Sequence, residues 1–439
     1  MKRYSALTLL MLFSLWNAPA KAEEKNVQPE NLTALVAAAV ANNPELKASE
    51  SRWQMFASKV KQASSLDDPM VMFKVQNTPA RSPFVFNRDP QSARVIGISQ
   101  QLPFWGKRAL RGDVARHEAE SYQWASEERK LELTRMVKEN YYQLWAVDKE
   151  LAIVEKNLKL LSDVVAVTEL KYSIGQGVQQ DIFKAGLEKS KMIAMQITLQ
   201  QQRKSLEANM NYLLGRAGNT PVGPVAEFML PKVSLSSEQL NAIAIEQRPQ
   251  VKSLANLVNK AEASLRLAKK EFFPDFNISL EYMFRDPVPT GMATDPGDNM
   301  VSLGITFNLP IQQEKRRQMR AESSFERTMA TEELNALKNS ISSTITETLA
   351  QLERRRKLTE LYKGGIIPQA ERSLESSLIS YRVSKVDFLT LLDSKMTLFN
   401  NERELYESQA EYMMKLAQLE AAIGTDPTAA LVNAGHHEN

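Results

Sequence analysis

The feature that most constrains the fold is a long segment without proline, from Phe104 to Tyr172, whose only glycines are Gly106 and Gly112. A continuous helix of about 68 residues would be roughly 100 Å long, at 1.5 Å per residue. Between Leu133 and Tyr172, ten of twelve a and d heptad positions are apolar or aromatic. This pattern predicts a coiled-coil seam. A compact domain does not need such a rod, so we expect an elongated molecule.

The C-terminal helical segment carries two adjacent apolar seams, one from Phe388 to Ile423 and one from Leu392 to Ala417. Two seams let one helix contact neighbours on both sides, which favours a sheet or tube of helices. The alternative is the broad core face of an ordinary bundle. Upstream, Gly364–Gly365 and Pro368 predict a bend or an interruption in the preceding helix.

The chain is duplicated, because landmarks recur in the same order at a spacing that drifts only from 205 to 209 residues. The matching pairs are Pro44 and Pro249, Pro69 and Pro274, Gly97 and Gly304, Lys107 and Lys315, Tyr172 and Tyr381, and Gly215 and Gly424. We therefore expect a first structural repeat over residues 32–217 and a second over 238–426. The Pro/Gly-rich segment 218–237 would be the linker, and 427–439 a C-terminal tail.

Each repeat contains two segments in which apolar and polar residues alternate, and these predict four strands near residues 69–77, 94–102, 275–284 and 299–309. Each pair of strands flanks a Pro-rich polar loop, at residues 78–83 and 286–291. One interpretation is two hairpins on a soluble core. The other is strands of a membrane barrel, which are apolar towards lipid and polar towards the lumen.

The far ends of the helical hairpins are predicted near residues 172–181 and 381–390. Gly175 and Gly177 are turn residues. For Asp181 and Asp387 the ordinary interpretation is helix N-capping, worth about 1 kcal/mol. The functional interpretation is a charged ring at a pore mouth if several chains assemble.

The N-terminus predicts a secretory signal peptide over residues 1–22, with Lys2 and Arg3, an apolar core and an Ala-Lys-Ala ending. A buried N-terminal helix is the alternative. Cleavage would remove three basic residues from 55 and no acid, leaving 52 residues of each sign. A chain without net charge gives no electrostatic argument for binding nucleic acid.

The composition offers little catalytic or metal-binding chemistry. The chain has no Cys and three His, namely His117, His436 and His437, so we expect no cofactor, no resident metal site and no enzyme activity. Met70, Met72, Met283, Met292 and Met300 lie in or near the strands and loops. Thioethers can bind copper(I), although packing is the usual role of methionine. The C-terminal His436-His437-Glu438 could bind a metal weakly, or belong to a disordered tail.

The duplicated helix–hairpin–helix pattern, the Leu-Pro pairs at strand ends, and the Tyr-x-x-Gly turn followed by Asp181 together resemble the TolC family of outer-membrane efflux proteins. The resemblance covers the whole chain after the signal. The run from Gln101 to Arg108, with Asp68-Pro69-Met70 before it, is most similar to the heavy-metal-efflux (CzcC/CusC-like) branch.

The resemblance implies a mainly α fold with a small β part, in which long coiled-coil helices form an α-barrel. Four strands per chain would contribute to a trimeric 12-stranded transmembrane β-barrel. The homotrimer would lie in the outer membrane, in contact with its lipid, with a large periplasmic part. A periplasmic adaptor (membrane fusion) protein and an inner-membrane pump, of the resistance-nodulation-division type, would deliver the substrate, and the channel would be its passive exit duct.

The resemblance also assigns residues at the hairpin tips. The channel entrance or gate would comprise Tyr172, Asp181, Tyr381, Arg382, Lys385, Asp387 and Asp393. The adaptor-docking tip would comprise Gly175, Gly177, Val178, Ser384 and Val386. Arg382 and Lys385 are candidates for links that hold the entrance shut. The chain departs from the family at Ser384, where glycine is usual, and at Thr390, where a second acid is common.

Three alternatives remain open on the sequence. A drug channel or a type I protein-secretion channel would have the same fold. A periplasmic coiled-coil scaffold would explain the signal and the heptads but not the four amphipathic strands. A secreted hydrolase is the enzyme alternative, but the sequence contains no nucleophile elbow, no HExxH helix and no convincing paired-carboxylate site.

Overall fold

The structure is a computed structural model, and it describes residues 30–290 and 293–427. The predicted signal peptide, Met292 and the C-terminal His436-His437-Glu438 lie outside the described residues. The elements of the first half are α1 (Leu32–Asn42), α2 (Pro44–Ser64), β1 (Met70–Gln76), β2 (Ala93–Leu102), α3 (Lys107–Ser173) and α4 (Gln179–Leu213). Those of the second half are α5 (Ser237–Gln247), α6 (Pro249–Lys270), β3 (Phe276–Phe284), β4 (Val288–Thr290), β5 (Ala293–Asp295), β6 (Met300–Phe307), α7 (Gln313–Leu361), α8 (Ile367–Arg382) and α9 (Phe388–Ile423).

The long helix is present as α3, which runs without interruption for 67 residues. Its counterpart in the second half is divided: a π-helical turn over Tyr362–Ile366, which contains Gly364 and Gly365, separates α7 from α8. Pro368 occupies the first turn of α8, directly after this π-helical turn, and it has no amide hydrogen to donate to the turn. The predicted interruption is therefore observed where the glycines stand.

The sheet has the strand order β1-β2-β3-β6, and every neighbouring pair is antiparallel. Its four strands agree with the predicted segments to within about two residues. The loop predicted at residues 286–291 is in part a short hairpin of β4 and β5. Its base is held by Arg285, which donates to the carbonyl of Pro90 at 2.9 Å and pairs with Asp295.

The largest core lies where the helices of the two halves meet. Its fully buried members include Ala39, Val137, Leu240, Ile345 and Leu419. Gly215 and Gly424, a matching pair of the duplication, follow α4 and α9 with positive φ of 64° and 81°. A Cβ at Gly215 would lie 2.9 Å from the carbonyl oxygen of Asn42, at the end of α1. A Cβ at Gly424 would lie 2.9 Å from the Cα of Arg248, between α5 and α6. Glycine is thus required at both positions by conformation and by close approach.

A buried lysine ties the sheet to the helices. Lys107, at the start of α3, is 1% exposed, and its Nζ lies 3.1 Å from Glu271, 2.9 Å from Asp275 and 3.0 Å from the carbonyl of Phe273. Three oxygens satisfy the buried ammonium, so the junction is held by directed contacts as well as packing. In the described residues, no helix is both long enough and apolar enough to span a membrane.

Candidate functional site

The chain reverses direction at two hairpin tips. Tip 1 (residues 172–181) joins α3 to α4, and tip 2 (residues 381–390) joins α8 to α9. A small apolar cluster of Ala185, Tyr381, Phe388 and Leu391 packs the tips against each other. All twelve residues that the sequence assigned to the entrance or to adaptor docking lie in or within a few residues of these tips.

The two turns have the same backbone hydrogen bonds. The amide of Gly175 donates to the carbonyl of Tyr172 at 3.0 Å, and the amide of Ser384 donates to Tyr381 at 3.1 Å. In each tip, a second bond of 2.8 Å from the following amide closes the turn. Gly175 has φ 70° and Ser384 has φ 57°, as a Schellman helix end requires. Ser384 therefore takes the conformation of the family's usual glycine despite its side chain.

Lys171 links the two tips, and sequence reasoning did not single it out. Its Nζ donates to the carbonyl of Tyr381 at 2.6 Å and to the hydroxyl of Ser384 at 3.3 Å. The same ammonium lies 4.1 Å from the centroid of the Tyr381 ring. A cation at the C-terminal end of α8 is favoured by the helix dipole and by the tyrosine ring. The only local signal was a basic residue in the last turn of a helix.

The matching tyrosines have different environments. Tyr381 is 6% exposed and makes an edge-on contact with Phe388, their ring centroids being 6.1 Å apart. Burial raises the pKa of its hydroxyl, and the charge of Asp181 adds to that shift. Tyr172 is 46% exposed within the chain. Only the second tyrosine is part of the core of its own chain.

The aspartates also differ in role. Asp387 is the N-cap of α9, where its carboxylate accepts from the amide and the hydroxyl of Thr390 at 2.9 and 2.6 Å. For Asp181 the capping interpretation is wrong: the N-cap of α4 is Val178, and Asp181 lies in the first helical turn. Its carboxylate thus forms no cap, and it faces the other tip instead.

Asp387 lies close enough to Asp181 to influence the protonation of the Asp181 carboxylate. Burial raises the pKa of Asp181, and the negative charge of Asp387 raises it further, while Lys184 and Lys171 oppose the shift. The hydrogen bonds from Thr390 lower the pKa of Asp387. The tips therefore bring together two carboxylates, two ammonium groups and the buried Tyr381.

The remaining predicted entrance residues are exposed, although Arg382 also lines the cavity behind the tips. Arg382, Lys385 and Asp393 are exposed, and among the described residues no ion pair joins either base to an acid of the same chain. Val178 is 58% exposed, while Val386 packs partly against the tip cluster. A Cβ at Gly177 would lie 3.2 Å from Lys171, so this turn leaves little room for a side chain.

A cavity of about 190 Å³ lies behind the tips, between α3, α8 and α9. Most of its wall is apolar, with Leu160, Val164 and Leu378 among its residues. Lys395, 5% exposed, also lines it, and its Nζ donates to the carbonyl of Asn157 at 3.3 Å. Burial lowers the pKa of Lys395 to about 8, against the opposing charge of Asp163. Sequence reasoning assigned Lys395 only to a helix seam.

The other functional region is the four-stranded sheet, whose two faces differ sharply. Residues opposite one another in the register share a face. The apolar face carries Val71, Phe73, Val75, Ile96, Ile98, Leu102, Phe276, Ile278, Leu280, Tyr282, Phe284, Val301, Leu303, Ile305 and Phe307, with Arg94 and Gln100 as its polar members. All of these apolar residues except Leu102 and Phe276 are prominently exposed. None of the described helices covers them, which disfavours a soluble core beneath the hairpins.

The polar face carries Lys74, Gln76, Ser99, Gln101, Asn277, Ser279, Glu281, Ser302 and Thr306, together with the buried Val95, small residues and four methionines. Lys74 and Glu281 form an ion pair of 3.6 Å across this face. In the described part of the chain, no group of three or more His, Asp or Glu side chains could hold a metal ion.

A sheet that is apolar on one side and polar on the other, joined to helical rods with paired tips, defines the class of outer-membrane channels with a periplasmic helical extension. The model of the outer membrane efflux protein family matches residues 35–216 and 240–425. The chain belongs to this family, as its resemblance predicted, and is an outer-membrane efflux channel with a large periplasmic helical part.

Two curated relatives are similar along most of the chain. The pyoverdine export outer membrane protein OpmQ of Pseudomonas putida is 21% identical over 342 residues, covering 75% of this chain and 68% of OpmQ. The cobalt-zinc-cadmium resistance protein CzcC of Cupriavidus metallidurans is 21% identical over 376 residues, covering 84% of each chain.

Solved structures support the fold. The outer membrane protein VceC of Vibrio cholerae superposes with a TM-score of 0.75 at 15% identity, covering 90% of this chain and 96% of VceC. CusC superposes with a TM-score of 0.71 at 14% identity, covering 97% and 99%. The predicted fold class, long helices with a small β part, is confirmed.

Proposed function

We propose that this channel is the outer-membrane component of a tripartite efflux system and that it works as a homotrimer. The observation that carries the proposal is the sheet. Its outer strands, β1 and β6, each pair on one side only, and its apolar face is exposed. Four strands are too few to close a barrel, whereas three chains supply twelve, an even number that closes. Closure satisfies both edges and turns the apolar face to lipid.

The entrance of this channel would be formed by the two tips of three chains. Its proposed members are Tyr172, Asp181, Tyr381, Arg382, Lys385, Asp387 and Asp393, and the proposed adaptor-docking residues are Gly175, Gly177, Val178, Ser384 and Val386. The exposure of Arg382, Lys385 and Asp393 supports this assignment, because side chains with no ion-pair partner among the described residues of their own chain are free to pair across chains. A gate would then open as adaptor binding shifts the population of the tips.

We further propose heavy-metal cations as the cargo, delivered by an inner-membrane pump of the resistance-nodulation-division type through a periplasmic adaptor. The similarity to CzcC along 84% of the chain supports this cargo. A small organic siderophore is the second candidate, supported by an equal identity of 21% to OpmQ. The family resemblance alone does not separate the two.

The assembly is tested by native mass spectrometry in detergent and by single-channel recording in planar bilayers. We expect three copies per particle and a stable conductance. A water-soluble monomer that needs no detergent would overturn the proposal. The cargo is tested by deleting the protein from its host and measuring growth with copper, zinc, cobalt, dyes and detergents. Sensitivity to metals that the intact chain restores supports metal efflux, and sensitivity to dyes alone contradicts it.

A further inference from the structure

The methionines of the four-stranded sheet are distributed unequally between its faces. The sheet contains four, Met70, Met72, Met283 and Met300, and the register places all of them on the polar face. The apolar face uses fifteen other apolar residues and no methionine. A lipid-facing surface gains from apolar side chains, but a surface facing water does not. Membrane insertion therefore does not explain the four thioethers.

Three of these four methionines are exposed, and the fourth, Met283, is half-buried. Met70, Met72 and Met300 are 62%, 38% and 48% exposed, so they are not packed into a core of their own chain. The usual role of methionine is to fill gaps in a core, and this role does not account for side chains that are exposed. An exposed thioether on a mainly hydrophilic wall is instead available as a ligand.

The methionines occupy successive levels along the sheet. Met70 is level with Ser99 and Ser279 near the helical end of the strands. Met72 lies one level further, and Met283 and Met300 face each other directly at the loop end. Directly opposed residues in an antiparallel pair have Cβ atoms about 5 Å apart. Two flexible thioethers at that spacing can converge on one ion.

A carboxylate lies beside the middle methionine. Met72 and Glu281 flank Gly97 in one cross-strand row. A Cβ at Gly97 would lie 3.3 Å from Met72 Cε and 3.2 Å from Glu281 Cγ. Both side chains therefore lean over the space that the glycine leaves empty. Glu281 adds a negative charge there, which Lys74 partly neutralises at 3.6 Å.

We propose that the opposed pair Met283 and Met300 forms a transient site for a soft monovalent cation, Cu(I) or Ag(I), on the inner wall of the barrel, and that Met72 beside Glu281 forms a second, separate contact one level nearer the helices. The proposal rests on the proposed metal-efflux function and narrows its cargo. Thioethers bind soft monovalent ions well, whereas zinc and cobalt prefer nitrogen, thiolate or oxygen ligands. Successive thioether levels suit an ion that must bind and be released along a path.

The test uses Ag(I), which needs no reductant, and the intact channel in detergent with nitrate salts. Silver binding is measured by isothermal titration and by metal analysis after gel filtration. The test variant is Met72→Leu with Met283→Leu and Met300→Leu, which keeps side-chain size but removes sulfur. The matched control changes three exposed methionines outside the sheet to leucine: Met55, Met229 and Met329. Both variants retain His436 and His437, so the C-terminal histidines contribute equally to each measurement.

We expect the test variant to bind Ag(I) at least tenfold more weakly, the control to match the parent, and Zn(II) binding to be the same in all three. Micromolar Ag(I) should reduce the potassium nitrate conductance in bilayers of the parent and of the control, relative to the silver-free conductance of each, but not that of the test variant. A conducting parent channel whose Ag(I) binding survives the triple substitution would overturn the thioether site and leave the channel function intact. A parent that forms no pore would overturn both.

Discussion

The two tips are matching products of one duplication, yet they solve the same structural problem differently. Tip 1 has glycine at the left-handed position, an exposed Tyr172 and no side chain capping α4. Tip 2 has Ser384 at that position, a buried Tyr381 and Asp387 as the cap of α9. The backbone turn is the same in both. The tips differ in their side chains: those of tip 2 pack and cap within the chain, whereas Tyr172 of tip 1 is exposed and available for contacts with other chains.

The two tips therefore differ in how firmly contacts within the chain hold them. Tip 2 is anchored by a tyrosine in the core, by a cap and by the ammonium of Lys171. Tip 1 supplies that lysine but receives no equivalent group, because Ser380 stands at the matching position of α8. A surface that keeps its aromatic and apolar residues exposed is suited to contact with other chains. Tip 1 is therefore the better candidate for movement or docking.

The largest expected difference is between the two tyrosines. Tyr381→Ala removes a buried ring and should lower the free energy of opening of tip 2 by about 3 kcal/mol. Tyr172→Ala removes a half-exposed ring and should change it by about 0.5 kcal/mol or less. Amide hydrogen exchange of the tip residues in the purified channel measures both. If both variants lowered the free energy of opening by a similar amount, neighbouring chains would bury Tyr172, and the proposed difference between the two tyrosines would be wrong.

The next effect concerns the link between the tips. Lys171→Met keeps the aliphatic chain but removes the ammonium from the carbonyl and ring of Tyr381. Charged hydrogen bonds and cation–π contacts together predict a loss of about 2 kcal/mol in tip 2. Lys159→Met, at an exposed position of the same helix, is the matched control. Faster exchange in both tips of the control would mean that net charge, and not the link, is responsible.

The turn residues give a smaller effect of opposite sign in the two tips. Gly175→Ser should destabilise tip 1 by about 1 kcal/mol, because a Cβ is unfavourable at positive φ. Ser384→Gly relieves that cost in tip 2 but loses the hydroxyl that accepts from Lys171 at 3.3 Å. We therefore expect a gain of less than about 1 kcal/mol there. If Ser384→Gly destabilised tip 2, the contact with Lys171 would outweigh backbone strain.

Much of the fold was predictable because its signals are local. The 67-residue α3, the four strands and the interruption of α7 follow from heptads, alternation and the placement of Gly and Pro. The start of α3 was missed by three residues because Gly106, at φ 86°, ends the turn that precedes it. The β4–β5 hairpin was missed because three-residue strands carry no readable period.

The site was predictable only in outline. The Tyr-x-x-Gly pattern located tip 1, and the duplication located tip 2 through the matching Tyr381, but nothing local distinguishes the buried Tyr381 from the exposed Tyr172. The contact of Lys171 with Tyr381 joins residues 210 positions apart, so no window along the chain contains both. The cavity beside Lys395 likewise depends on how three helices meet. Such properties belong to packing and not to any segment.

The smallest effect is a two-phase response of the tips to acid. The pKa of Asp181 is raised in the folded tips, so its charged form is disfavoured at neutral pH and protonation stabilises the tips. The pKa of Asp387 is lowered, so its capping contribution is lost as the pH falls through a lower value. Acidification should therefore first slow the opening of the tips and then accelerate it.

Hydrogen exchange of residues 172–181 and 381–390 across this pH range, corrected for intrinsic rates, measures the two phases. Asp181→Asn should abolish the first phase alone, because it removes the carboxylate whose pKa is raised by burial and by the charge of Asp387. Asp387→Asn should abolish the second phase and weaken the first, since the repulsion on Asp181 disappears. Asp163→Asn, on the far side of the cavity, is the control and should leave both phases in place. A single acid transition that no aspartate variant alters would mean that the tips do not couple these two carboxylates.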